Sequence, residues 1–427
     1  MILLLYDLNP CMIIKFVVRL SIEQEKPSSF FQNFTKARRY SSVFQILFYT
    51  FVFNSTPRLY RRGVYSITYG TMAWKKINIQ RENGEWVDAQ APEIISASRS
   101  TDIPAFYADW FFHRLEIGYS AWRNPFNGVN SYVSYKNTRF IVFWSKNPKP
   151  LLQHLPKLKS HSPKIECYIQ YTLNDYVAEG LEKGVPPLDE RIETFKTLVE
   201  KLGKGRVIWR FDPLILTDRI SQNDLLRKID YIGDRLLGYT EKLVFSFADI
   251  MSYRKVKLNL ERNRINYHEW TEAEMVDFAR KLSELNKKWG YELATCGEKP
   301  AYSRFGIVPN HCVDDNLMIS FAWKDSVLMK VLGVEIKTID NGLFGSPEIP
   351  TNAIMLDAEH YAIKKKDNVD KGQRELCGCK ISKDIGQYDT CAHLCEYCYA
   401  NTSKEMACKN YRTAKNSGLT SETITGK

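Results

Sequence analysis

Six short apolar runs, each followed by a polar or amphipathic stretch, recur between residues 93 and 296 and constrain the fold more than any other feature. They are 93–99 (EIISASR), 139–145 (RFIVFWS), 167–173 (CYIQYTL), 206–212 (RVIWRFD), 242–249 (KLVFSFAD) and 291–296 (YELATC). Their length and aromatic and β-branched content read as buried strands. Helical patterns lie between them. Asp102 and Pro104 open one that Gly118 closes. Ile192, Phe195, Leu198, Val199 and Leu202 line a second, which ends at Gly203, and 223–238 gives a third. A fourth starts with the capping box Thr271 to Glu274 and stops at Gly290.

This alternation predicts an α/β fold with a parallel sheet, and we expect a (β/α) barrel, six-stranded or TIM-like, rather than an open doubly wound sheet. The reason is the set of polar side chains at the end of each run: Arg99, Ser100 and Asp102; Ser145, Lys146 and Asn147; Thr172 and Asn174; Arg210 and Asp212; Ser246 and Asp249; Cys296 and Glu298. Turns and helix caps account for most such residues, but they do not require the cations Lys146 and Arg210. In barrels the carboxyl rim carries the chemistry, which makes Arg210, Asp212 and Glu298 the candidate catalytic residues.

The 427 residues can bury a large core without disulfides, and 44% hydrophobic with 26% charged residues is ordinary for a globular protein. No run reaches the roughly 18 apolar residues of a spanning helix. Residues 1–71 differ: nine Lys or Arg face three acids, supplying six of the eleven net positive charges, with no stable periodicity. We expect that extension to be spurious or disordered, with translation starting at Met72. The remainder divides into a barrel domain (72–362), a cysteine-rich cluster-binding segment (363–410) and a flexible tail (411–427). No secretory signal is evident, so a cytoplasmic location without membrane association is expected.

Of ten cysteines, six fall in the last 51 residues. Cys391, Cys395 and Cys398 are spaced C-x3-C-x2-C. Three thiolates so close can hold three corners of a 4Fe-4S cube and leave one iron open. Zinc is the competing reading, with His393, Cys377, Cys379 or Cys408 as fourth ligand. His311 and His393 flank cysteines and are expected as hydrogen-bonding supports more than as ligands.

The spacing, with Tyr397 just before the third cysteine, resembles the cluster loop of radical S-adenosylmethionine enzymes, and "DIGQYDTCAHLCEYCYAN" resembles the spore-photoproduct-lyase-like branch. With "IISASRSTDIPAFY", "FWSKNP", "RFDPL" and "QRELCGCKISKDIGQYDTC", the chain from about 72 to 410 resembles the bacterial domain-of-unknown-function family 1848, whose members are described as carrying a C-terminal cysteine cluster of that type. The resemblance implies that Cys391, Cys395 and Cys398 bind the cluster and Tyr397 shields it. It also implies that S-adenosylmethionine binds the open iron and is cleaved reductively to start radical chemistry on an unknown substrate, with a reductant such as a flavodoxin or ferredoxin. The sequence departs from the superfamily in two ways: the loop comes after all six strands instead of the first, and no Gly-Gly-Glu segment follows a second strand. A circularly permuted barrel would restore the loop to the same rim.

Cys296, Cys312, Cys377 and Cys379 are four further thiols that a second iron-sulfur cluster or a zinc site would use. The competing function is a nucleic-acid-associated protein with a structural zinc or iron-sulfur site and no radical chemistry. The basic balance and the many aromatics favour it, although most aromatics fall on apolar faces that suit core packing.

Overall fold

The computed structural model describes residues 74–124, 127–298, 300–339, 349–374 and 376–426; the expectation for residues 1–71 lies outside them. All six apolar runs are strands: β1 Ile94–Ala97, β2 Phe140–Ser145, β3 Glu166–Thr172, β4 Val207–Leu214, β5 Lys242–Phe247 and β6 Glu292–Thr295. They pair in parallel in chain order. Two short strands extend the sheet to eight. β7, Val308–Pro309, lies beside β6, and β8, Lys383–Asp384, lies beside β1.

Three of the four helices form where the sequence places them; the first is divided at Tyr107 into a single turn, Ile103–Phe106, capped by Asp102, and a longer helix. α1 (Ala108–Ile117) stops at Gly118, whose φ of 95° is the left-handed conformation that glycine adopts without strain. α2 (Leu188–Leu202), α3 (Gln222–Leu236) and α4 (Glu272–Asn286) follow β3, β4 and β5. Both α3 and α4 begin with reciprocal capping boxes, Ser221 with Asp224 and Thr271 with Glu274.

Alternation along each strand divides its side chains between two faces. Ile95, Phe143, Ile169, Trp209, Phe211 and Phe245 meet Ile192, Phe195, Ile229, Phe278 and Leu282 from the helices in one core. Ile94, Val142, Tyr168, Ile208, Val244 and Ala294 enter the other, which is filled by Cys312, Val313, Met318, Ile319, Leu328, Met329 and Cys379.

That second core revises the expected barrel. Among the described residues β7 and β8 are separate edges of an open sheet, and a closed barrel is not formed. A barrel covers its inner face with its own strands. Here residues 312–332 and the small sheet of Val334–Thr338, Ile354–Met355 and His360–Lys364 cover it instead, so the apolar face is buried without closure.

The C-terminal segment is also more integrated than expected. In residues 411–426, a helix, Lys404–Asn416, runs into the segment, Trp110 Nε1 donates to Ser421 O (2.8 Å), and Arg81 pairs with Glu422 (2.8 Å). Thr423 bridges Ala121 of the separate four-stranded sheet. No described helix is long and apolar enough to cross a membrane.

Candidate metal centre

The cysteine loop begins where β8 ends, and β8 is held to β1 by more than its ladder. The Asp384 carboxylate accepts hydrogen bonds from Ser96 Oγ (2.9 Å), Ser98 Oγ (2.8 Å) and the Arg99 amide (2.9 Å). At Gly386 a Cβ would stand 1.8 Å from Ser98 Oγ, so the loop passes closer to the rim than a side chain permits. Thr101 Oγ1 donates to Gln387 O (2.7 Å) and accepts from the Gln387 amide (2.9 Å). These contacts lay the loop over the carboxyl end of β1.

His393 anchors its centre. Nε2 meets Asp102 Oδ2 at 2.7 Å and Nδ1 meets Gly184 O at 3.1 Å, with the ring buried. Both ring nitrogens are therefore engaged and neither is offered to a metal. Asp102 also accepts from Ser145 Oγ and the Lys146 amide, each at 2.7 Å, so one carboxylate ties the ends of β1 and β2 to the loop.

Tyr397 anchors the loop a second time, four residues later. Its hydroxyl accepts from Lys146 Nζ (2.9 Å) and Asn174 Nδ2 (3.1 Å) and donates to Glu182, which pairs with Lys146 at 2.7 Å. Burial opposes charge on both members of that pair, but mutual attraction outweighs it. The Lys146 amine is held above its ordinary range and the Glu182 carboxyl below.

Within this frame burial pushes the three thiols up, Cys391 to about 12 and Cys395 and Cys398 in the same direction. Cys395 feels the charges of Lys146, Cys391 and Cys398, and the Asn401 amide donates to Cys398 Sγ at 3.4 Å. Three sulfur donors beside a cation and an N–H donor are a set that an iron-sulfur cluster takes, and loading one would expel the thiol protons.

A second thiol group lies beyond β3, at β4 and β6. Cys296, just past β6, and Cys312 have their sulfurs 3.1 Å apart. Cys379 Sγ accepts from the Cys312 backbone amide (3.2 Å), and Cys377 lies two residues before it. Arg210 Nη1 donates to Cys312 Sγ (3.2 Å) and to Gln170 Oε1 (3.2 Å). Hydrogen bonds from Cys296 and Cys379, with the Arg210 charge, pull the Cys312 thiol well below its ordinary range. Cys377 is likewise lowered by Cys379, to about 6.

Of the candidate catalytic trio, Arg210 touches this second group. Arg210 pairs with Asp212, which also accepts from Ser246 Oγ. Glu298 accepts from the Phe247 amide (3.2 Å), and burial raises its carboxyl above the ordinary range. Asn174 links the two groups, since it reaches both the Tyr397 hydroxyl and the Asp212 backbone. Cys167 is buried in β3 and Cys408 lies on the Lys404–Asn416 helix. Cys11 is outside the described residues. His311, Asp314 and Asp315 are the one described trio of potential ligand side chains within 4.8 Å of one another, but Asp315 already pairs with Lys364 (2.7 Å) and Asp314 caps α5, Asp315–Ala322.

The family described as a domain of unknown function (DUF1848) matches residues 94–400. The chain belongs to that family. The matched span begins at the first residue of β1 and ends two residues past Cys398, so it takes in the parallel sheet and the whole cysteine loop. No curated protein and no solved structure matches the chain.

Sequence reasoning missed Glu182, Asp384, Gly184 and Gly386. Asp384 and Gly386 stand just ahead of the first loop cysteine, at a spacing that signals nothing until β8 is seen beside β1. Glu182 and Gly184 lie in an irregular segment after β3, and no local pattern marks them.

Proposed function

We propose that this protein is a radical S-adenosylmethionine-type iron-sulfur enzyme whose cluster is held by Cys391, Cys395 and Cys398. The observation that carries the reading is the place of β8. The cysteine loop leaves a strand adjacent and parallel to β1, and it spreads over the carboxyl ends of β1 to β3. Such enzymes carry their loop after the first strand of the sheet; here the equivalent strand comes last in the chain and first in space, the arrangement of a circular permutation.

When bound there, a 4Fe-4S cluster with one open iron would take S-adenosylmethionine and supply the electron that cleaves its sulfonium to methionine and a 5'-deoxyadenosyl radical. The chain's own residues do the rest. Lys146, beside Cys395, offsets negative charge at the sulfurs, and the Asn401 amide donates to Cys398. Asp102 with His393, and Glu182 with Lys146 and Tyr397, hold the loop rigid over the rim. Arg210, Asp212 and Glu298, across the Asn174 bridge, are the side chains we assign to the substrate side. The electron comes from a one-electron reductant of the flavodoxin or ferredoxin kind, and a reducing cytoplasm suits nine described cysteines that are all free thiols.

Anaerobic purification of the full chain, reconstitution with iron and sulfide, and EPR of the reduced protein with and without S-adenosylmethionine test this. A 4Fe-4S signal that changes on addition, with formation of 5'-deoxyadenosine, is expected. Failure of Cys391, Cys395 and Cys398 to hold a cluster would overturn the reading and favour a nucleic-acid-associated protein with a structural metal.

A further inference from the structure

The thiols at 296, 312, 377 and 379 come from three separate regions of the chain: the end of β6, the loop before α5, and the segment before β8. Converging thiols cost the fold something, because several sulfurs crowded in a partly buried pocket repel one another once ionised. Two buried sulfurs are also surrounded by donors. Cys312 Sγ accepts from Arg210 Nη1 (3.2 Å) and Asn310 Nδ2 (3.3 Å), and Cys379 Sγ from the amides of Cys312 (3.2 Å) and Val313 (3.5 Å). A neutral thiol is a weak acceptor, so four N–H groups aimed at two sulfurs suit thiolates.

Cations stand around them. Arg210 is buried against Cys312, Arg99 lies within electrostatic reach of Cys379, Cys312 and Cys377, and Arg374 within reach of Cys296 and Cys377. One terminal nitrogen of Arg99, Nη2, is buried without a hydrogen-bond partner among the described residues. The indole of Trp144 lies beneath both Arg99 (5.3 Å) and Arg210 (5.6 Å), which fixes the guanidinium planes.

We infer that Cys296, Cys312, Cys377 and Cys379 form a tetrathiolate site for a single zinc ion, separate from the cluster loop. Zinc with four thiolates carries two net negative charges, and the surrounding arginines compensate them, with the Arg99 Nη2 nitrogen available as a donor to a metal-bound sulfur. The sulfurs of Cys296 and Cys312 are 3.1 Å apart, and Cys379 Sγ sits on the Cys312 amide (3.2 Å) with Cys377 two residues before it, although no three of the four sulfurs lie within 4.8 Å of one another. A tetrahedron with metal–sulfur bonds of about 2.3 Å has edges of about 4 Å, so one ion asks that Cys296 and Cys312 part slightly and that Cys377 and Cys379 close on them. An iron-sulfur cube attaches each thiolate to a different iron and would have to drive Cys296 and Cys312 much farther apart than a single ion does. The ion would pin β6, the loop before α5 and the segment leading to β8 together, and so fix the edge strand from which the cysteine loop departs.

The inference does not rest on the radical reading, because the two sites share no ligand. The full chain, purified without chelator, is expected to carry one zinc per molecule by elemental analysis. Cys312→Ser and Cys379→Ser should each lower zinc at least fivefold, whereas Cys395→Ala leaves it unchanged. Replacing the metal with cobalt in the unaltered protein should give tetrahedral thiolate-to-cobalt absorption, a readout that holds even if the serine variants fail to fold. Absence of zinc and of the cobalt spectrum would overturn the site. So would zinc that departs with Cys395→Ala, or a second complement of iron and sulfide bound through Cys312.

Discussion

The two thiol groups share one sheet and differ in almost every physical respect. The loop group, Cys391, Cys395 and Cys398, is contiguous in sequence, and its thiols are pushed up by burial, with the Lys146–Glu182 pair acting on Cys395. The sheet-end group, Cys296, Cys312, Cys377 and Cys379, is scattered in sequence, two of its sulfurs touch, and guanidiniums surround it. A contiguous motif can wrap a bulky cofactor that leaves one position open; scattered thiols that meet only after folding report a structural cross-link. Open and closed metal sites differ in the same way.

The sharpest break between the two is genetic. Cys395→Ala is expected to reduce S-adenosylmethionine cleavage to background while the protein keeps its zinc and its cooperative unfolding. Cys312→Ser should instead lower the melting temperature and remove zinc. If both variants lost the same metal, the molecule would have one site and not two.

Reactivity separates the groups next. In protein stripped of metal, the Cys377 thiol, lowered to about 6 by its contact with Cys379, is a thiolate above that pH, while Cys391, raised to about 12, stays protonated until strongly alkaline solution. Alkylation followed by mass spectrometry should therefore label Cys377 on the order of a hundredfold faster than Cys391 at neutral pH. The Cys377 rate should fall as pH drops below about 6. Equal labelling would remove the contrast.

Breaking the loop's anchor should cost stability on one side only. Glu182→Ala leaves Lys146 without its carboxylate and the Tyr397 hydroxyl without its acceptor, and a destabilisation of about 3 kcal/mol in urea unfolding is expected. Zinc content should not change.

The glycines give the finest comparison. A Cβ at Gly184 would meet the backbone carbonyl of His393 at 2.7 Å, whereas one at Gly378 would meet the end of the His311 side chain at 2.3 Å. A backbone held by two hydrogen bonds cannot retreat, but a partly exposed ring can swing away. Gly184→Ala should cost about 2 kcal/mol and Gly378→Ala under about 1 kcal/mol. Denaturation midpoints at constant m-value check the order.

Much of this was legible in the chain itself. Strands β1 to β6 and most of helices α1 to α4 can be read from period and caps, because Gly118, Gly203 and the Thr271–Glu274 capping box act locally. The thiols were legible as donors because sulfur chemistry belongs to residue type and spacing. Arg210 and Lys146 stood out because no cap needs a cation.

Other features were settled only in three dimensions. β8 is two residues long, Lys383 and Asp384, and nothing in that dipeptide signals a strand; it exists because the exposed edge of β1 and the hydroxyls of Ser96 and Ser98 receive it. The sheet stays open because residues more than a hundred positions beyond β3 cover its second face. Glu182 could be identified only from its neighbours, since its charge is held by Lys146 and Tyr397. The sequence by itself determined which residues make strands and which can grip a metal, because those properties are local. Which edge the last strand joins, which sulfurs meet and which charges they face depend on burial and long-range pairing, and only the tertiary structure decided them.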